Sequence, residues 1–131
     1  MSKSKSCGCG NASEQGPVKL IYACSGAADV GEIADRAART VARAGGGKLQ
    51  CANAIGAGLE SYVEAAKGAD KVLAIDGCIN HCAANCLKKA GVTKFEHLVL
   101  NHIGLAKQAS PPNDDNIAKA VTAAEKMLSA A

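Results

Sequence analysis

The sequence predicts an α/β fold on a mostly parallel sheet, and three observations carry that reading. Short β-prone apolar runs alternate with segments of helical period along most of the chain. Its 131 residues suit one domain whose core needs neither a disulfide nor a metal to hold it. Trp is absent and only Tyr22, Tyr62 and Phe95 are aromatic, so the core is built from Ala, Val, Ile, Leu and Gly. Small side chains bring elements close together at a smaller gain per residue than aromatic ones.

Residues 1–16 are rich in Ser, Lys, Gly, Asn and Gln and read as a flexible, Cys-containing tail that Pro17 closes. Residues 17–131 read as the single α/β domain. Val18 to Ala23 is a first strand ending at Cys24. Asp29, with Glu32 three residues on, is placed to cap a helix as in a capping box. On that helix Val30, Ile33, Ala34, Ala37, Ala38 and Val41 share one face, Arg36, Arg39 and Arg43 lie near the other, and Gly45-Gly46-Gly47 ends it.

Lys48 to Asn53 is a weaker strand that contains Leu49 and Cys51. Leu59, Tyr62, Val63 and Ala66 mark a helix after Gly58. Lys71 to Ile75 is the clearest buried strand, and it runs into Asp76-Gly77-Cys78. A helix from about Ile79 to Lys89 follows, stopped by Gly91. Phe95 to Leu100 is a fourth strand. After Pro111-Pro112, Asn113 or Asp114 caps a last helix carrying Ile117, Val121, Ala124 and Leu128.

Strands alternating with helices imply a parallel sheet covered on both faces. The expected architecture is a three-layer domain, Rossmann-like or flavodoxin-like, with about four strands in the order 2-1-3-4. Right-handed crossovers bring the carboxyl ends of all strands to one edge, where such folds place their sites.

The formal net charge of +3 is mild, and Lys3 and Lys5 in the tail supply much of it. There is no basic stripe with interleaved aromatics, so nucleic acid is not an expected partner. No apolar stretch follows the first lysines and no run reaches the length of a membrane span. The expected location is the cytoplasm, with no membrane partner. Seven cysteines in a reducing compartment read as thiols or metal ligands before disulfides. The bland alternative is that several are small buried hydrophobes.

The alternation decides how the cysteines read. Cys24, Cys51 and Cys78 are evenly spaced, and each falls near the end of an expected strand. If strand one lies between two and three, all three sit at the same edge, with neighbouring strands about 4.8 Å apart. Cys82 lies one helical turn beyond Cys78 on the same face. A tetrahedral Zn²⁺ site needs sulfurs roughly 3.8 Å apart, which converging rotamers of such residues can meet. Cys78, at the expected helix start, feels the positive end of the dipole, which favours thiolate. Gly77 allows the tight strand-to-helix turn. Asp76 either accepts a backbone N–H and orients a ligand, or is a simple turn residue.

The readings in play are a soft-metal site on Cys24, Cys51, Cys78 and Cys82, a redox or sulfur-carrying thiol set, and unrelated buried cysteines. Cys86 drifts round the expected helix, away from the sheet edge, and reads as a spare or packing residue. His81 points off the Cys78/Cys82 face and reads as a surface histidine. His97 and His102 flank the fourth strand, the first facing inward and the second near the site; neither is assigned as a ligand. Cys7 and Cys9 read as exposed thiols of the tail, with transient metal capture as the alternative.

These residues resemble the DGC-domain family. Asp76-Gly77-Cys78 with Cys82 is similar to its central motif, residues 23–31 to its opening segment, and Cys51 with Ile55-Gly56 to its middle one. The similarity covers roughly residues 18–110. It implies a zinc site with Cys24, Cys51, Cys78 and Cys82 as ligands, and it implies no particular reaction. Cys86 and the Cys7/Cys9 pair lie outside that pattern.

Rival motifs fail on chemistry. A phosphatase or arsenate-reductase loop needs an Arg six residues after its Cys to hold the oxyanion, and position 30 is Val. Gly26 to Gly31 lacks the Lys-Ser/Thr of a nucleotide loop, and Gly56-Ala57-Gly58 is too short for a dinucleotide fingerprint. No His is tied to Ser25, so it has no activating base. The expectation is one Zn²⁺ in a closed four-thiolate site that does not activate water, hence a structural or metal-handling protein and not an enzyme. The alternative is a thiol redox or sulfur-carrier protein with Cys78 as nucleophile. An iron–sulfur cluster is a third option. The sequence names no protein partner.

Overall fold

A computed structural model describes residues 16–130. Of the tail expected over residues 1–16, all but Gly16 lies outside the described residues, as do Cys7 and Cys9. The order along the chain is β1 (Lys19–Ala23), α1 (Asp29–Arg43), β2 (Lys48–Leu49), α2 (Ala52–Gly56), α3 (Glu60–Gly68), β3 (Lys71–Asp76), α4 (Cys82–Lys89), β4 (Glu96–Val99), a 3₁₀ turn (Leu100–Ile103) and α5 (Asp114–Ser129). All strands are parallel and the sheet order is β2-β1-β3-β4, as the sequence predicts.

Alternation along the strands builds the two outer layers. Ile21, Leu73, Ile75 and Leu98 face one side and pack with Val30, Ile33, Ala37 and Val41 of α1 and Ile117, Ala120, Ala124 and Leu128 of α5. Leu20, Tyr22, Val72 and Ala74 face the other and pack with Ile55 of α2, Ala66 of α3, and Ala83, Ala84 and Leu87 of α4. Both faces of β3 are therefore sealed, which is why residues 72–75 are continuously apolar. Among the described residues, no helix is long and apolar enough to cross a membrane.

Several boundaries differ from the expected ones. The second strand stops at Leu49, and Cys51 is the N-cap of a one-turn helix, α2, that packs on α4. Alpha helix α1 is capped from Ala28, and Asp29 is its first residue. The Asp29 carboxylate instead accepts the backbone N–H of Val30 (2.8 Å), Gln108 (2.9 Å) and Ser110 (3.2 Å), fastening a distant loop to the start of α1. The Gln108 N–H leads these donors in holding its pKa below the ordinary carboxylate value, against the opposing effect of desolvation. Asn113 does cap α5, accepting from the Asn116 N–H at 2.9 Å.

Candidate thiol site at the carboxyl edge of the sheet

Two backbone hydrogen bonds carry the ladder past the formal ends of the strands. The Cys24 N–H donates to the Ile75 carbonyl at 2.9 Å, and the Gln50 N–H donates to the Ile21 carbonyl at 2.9 Å. With Ile21 opposite Leu49 and Ala23 opposite Ile75, Cys24 stands beside the exit of β3 and Cys51 beside the exit of β1. Cys78 follows two residues after β3. Three strand ends thus deliver Cys24, Cys51 and Cys78 to one edge.

The segment between β3 and α4 departs from the expected helix. Residues 77–81 form a loop and α4 begins at Cys82, so the positive end of this helix lies at Cys82 and not at Cys78. The cap comes from far along the chain. Asp76, 1 % exposed, accepts the N–H of Ala83 at 2.7 Å and of Ala84 at 3.1 Å, two donors that the first turn leaves open. Its carboxylate also meets His97 Nε2 at 2.8 Å. The ring of His97 contacts that of His81 edge-on, with centroids 4.7 Å apart. His81, the N-cap of α4, is left-handed at φ 54°, a conformation rare outside glycine and held here by its surroundings. The Asp76–His97–His81 chain therefore fixes the loop that carries Cys78 and leads into Cys82.

Gly77 does not serve a left-handed turn. A Cβ there would stand 2.8 Å from the backbone of Val30, so glycine is what lets the loop lie directly on α1. The approach brings Cys78, like Cys24, against the apolar layer of α1 and α5. Cys86 packs on the opposite layer, its Sγ 3.1 Å from where a Cβ on Gly56 would be.

Cys82 is exposed, whereas Cys24, Cys51, Cys78 and Cys86 are half-buried. Desolvation first, and then the negative charges of Cys24, Asp76, Cys78 and Cys86, push the Cys82 thiol above its ordinary value. Cys24, Asp76, Cys78 and Cys86 thus lie near enough to Cys82 for their charges to bear on it. Among the described residues, no three His, Cys, Asp or Glu side chains form a ready cage for a metal ion. The donor set suits a soft ion in chemistry and in placement at one edge, and closing around an ion would require the loops to draw in.

Sequence reasoning missed the His97–Asp76 pair. No local signal marks it, because strand pairing sets His97 beside Asp76's strand.

A family model described as DGC domain matches residues 20–124, and the chain belongs to the DGC-domain family. A curated relative, the anaerobic and virulence modulator AnvM of Pseudomonas aeruginosa, is 35 % identical over 92 residues, 70 % of this chain and 70 % of the relative. No solved structure matches the chain significantly.

Proposed function

We propose that this DGC-domain protein binds one Zn²⁺ through Cys24, Cys51, Cys78 and Cys82 and serves a structural or metal-handling role in the cytoplasm. The observation that carries the reading is the strand register, which levels the ends of β2, β1 and β3 so that their cysteines share an edge. Thiolate is the form that binds, and four thiolates leave the centre negative. The start of α4 at Cys82 offsets part of that charge. Four protein ligands close the ion to water, so this reading involves no hydrolysis. The core stands on its apolar layers without a metal, which leaves an ion free for storage, sensing or delivery. The name of the relative, a modulator, agrees with a regulatory use of such a site here.

A second reading, a thiol redox or sulfur-carrier protein with Cys78 as nucleophile, is favoured by one observation: the thiols form no ready cage among the described residues. Titration of the reduced full chain with Zn²⁺ against a chromophoric chelator, followed by thiol counting, separates the two. The proposal expects one tight equivalent, with the site thiols protected until a strong chelator is added. Absence of tight binding, with one fast-reacting thiol at Cys78, overturns it in favour of the second.

A further inference from the structure

We infer that a cavity at the amino edge of the sheet binds a small zwitterion with an apolar body, the chemistry of a free α-amino acid with a branched or aromatic side chain. The inference is independent of the metal-binding reading, since no cysteine lines this cavity.

The cavity, of about 470 Å³, lies between the end of α3, the start of β3 and the segment joining α4 to β4. Small-molecule sites typically measure about 300–1,000 Å³. Its floor is apolar: Ala66, Val72 and Val92 are buried there and Phe95 packs on them. Its rim is charged, and part of that charge is committed to the fold. The Asp70 carboxylate accepts the Val18 N–H at 2.7 Å, and Lys71 Nζ donates to the carbonyls of Met127 and Ala130. Lys67, Lys94 and Glu96 are different, for their side chains make no hydrogen bond or ion pair with any described residue. The Lys67 ammonium reaches from α3 to the turn after α4, 3.6 Å from where a Cβ on Gly91 would stand.

Two helix ends border the cavity. The N–H groups of Gly91 and Val92 close α4 on the carbonyls of Lys88 and Leu87, at 3.0 and 2.9 Å. Among the described residues, no backbone N–H from beyond Gly68 closes α3 in this way. Its last carbonyls stay open and present the negative end of the helix. A ligand that is only an anion would meet Glu96 and this helix end, and one that is only a cation would meet two ammoniums. A zwitterion satisfies both signs. Its carboxylate pairs with Lys67 and Lys94, its ammonium with Glu96 and the end of α3, and its side chain covers the apolar floor.

The test is an amide NMR titration of the full chain with L-leucine and with L-phenylalanine. At least one of them should shift the amides of residues 66–71 and 91–96 saturably and leave those of residues 77–86 unmoved. Capping either charge of that ligand, as its N-acetyl or its amide form, should weaken binding about tenfold, the worth of one charged hydrogen bond. Lys67→Ala should weaken the free amino acid by a similar factor and leave binding of its amide unchanged. Glu96→Gln should weaken the free amino acid and leave its N-acetyl form unchanged. Both side chains are exposed, so these variants keep the fold. No saturable shift with either amino acid, or equal binding of the free and capped forms, overturns the inference. Metal content, which tests the zinc proposal, is read separately from all of these.

Discussion

At the amino edge of the sheet, Lys19 and Lys71 sit opposite each other on β1 and β3, and both reach the end of α5. Lys19 Nζ donates to the Leu128 carbonyl at 2.8 Å, and Lys71 Nζ to those of Met127 at 3.0 Å and Ala130 at 2.5 Å. Cations there satisfy carbonyls that a helix end leaves open. Nearby, Lys67, Asp70, Lys94 and Glu96 line a cavity of about 470 Å³ of mixed charge, remote from the thiols. The carboxyl edge is arranged the other way. There a buried carboxylate closes the start of α4 and pairs with His97, beside the loop that leads from Cys78 to Cys82. The first edge closes a helix end with cations, and the second closes a helix start with an anion.

The comparison predicts where substitutions hurt most. Asp76→Ala should be the most damaging, since it strands two backbone N–H groups and His97 in a buried setting. The expected loss is on the order of 3 kcal/mol, read by urea denaturation, and thiol reactivity should change with it because the Cys78 loop loses its anchor. If D76A left both stability and thiol reactivity untouched, Asp76 would not be the keystone of this edge.

Next is Gly77→Ala, whose added methyl meets the Val30 backbone; overpacking of this kind costs about 1–3 kcal/mol. Thermal unfolding checks it, and a neutral result would mean that the loop does not lie on α1. At the amino edge, Lys19→Ala and Lys71→Ala should each cost about 1 kcal/mol or less. Neither should alter thiol reactivity, which sharpens the contrast between the edges.

The smallest effect is acid-dependent. The Asp29 carboxyl is held below its ordinary value, so its contribution is fully present at neutral pH. That contribution begins to fade as pH falls through about 3.9, the unfolded value, and is gone below the folded one. The protection of the Gln108 and Ser110 amides, measured against the intrinsic exchange rate at each pH, should therefore fall in acid in the parent. In Asp29→Asn it should be low already at neutral pH.

What was legible in the sequence follows the range of the forces involved. The strand order and the edge shared by Cys24, Cys51 and Cys78 were readable because alternation and spacing are local signals that topology rules then constrain. The Asn113 cap was readable for the same reason. The start of α4 was not, because its capping group, Asp76, lies at the end of the preceding strand and is itself held by His97 from β4. Asp29 looked like a local cap and is instead a long-range fastener, since the loop it binds is brought there only by tertiary packing. The left-handed His81 belongs to the same class: nothing in its neighbours requires it. Cys86, read as a packing residue, does pack, against the layer of α2, α3 and α4.

The central claim is that sulfurs from separate strand ends serve one shared ion. Elemental analysis of the freshly purified, reduced full chain tests it most directly, run beside Cys24→Ser, the variant on the strand farthest in sequence from α4. The account predicts about one zinc per parent chain, as a single four-donor centre holds, and a clear fall in C24S. A parent free of zinc, or an iron and sulfide content in its place, would contradict it.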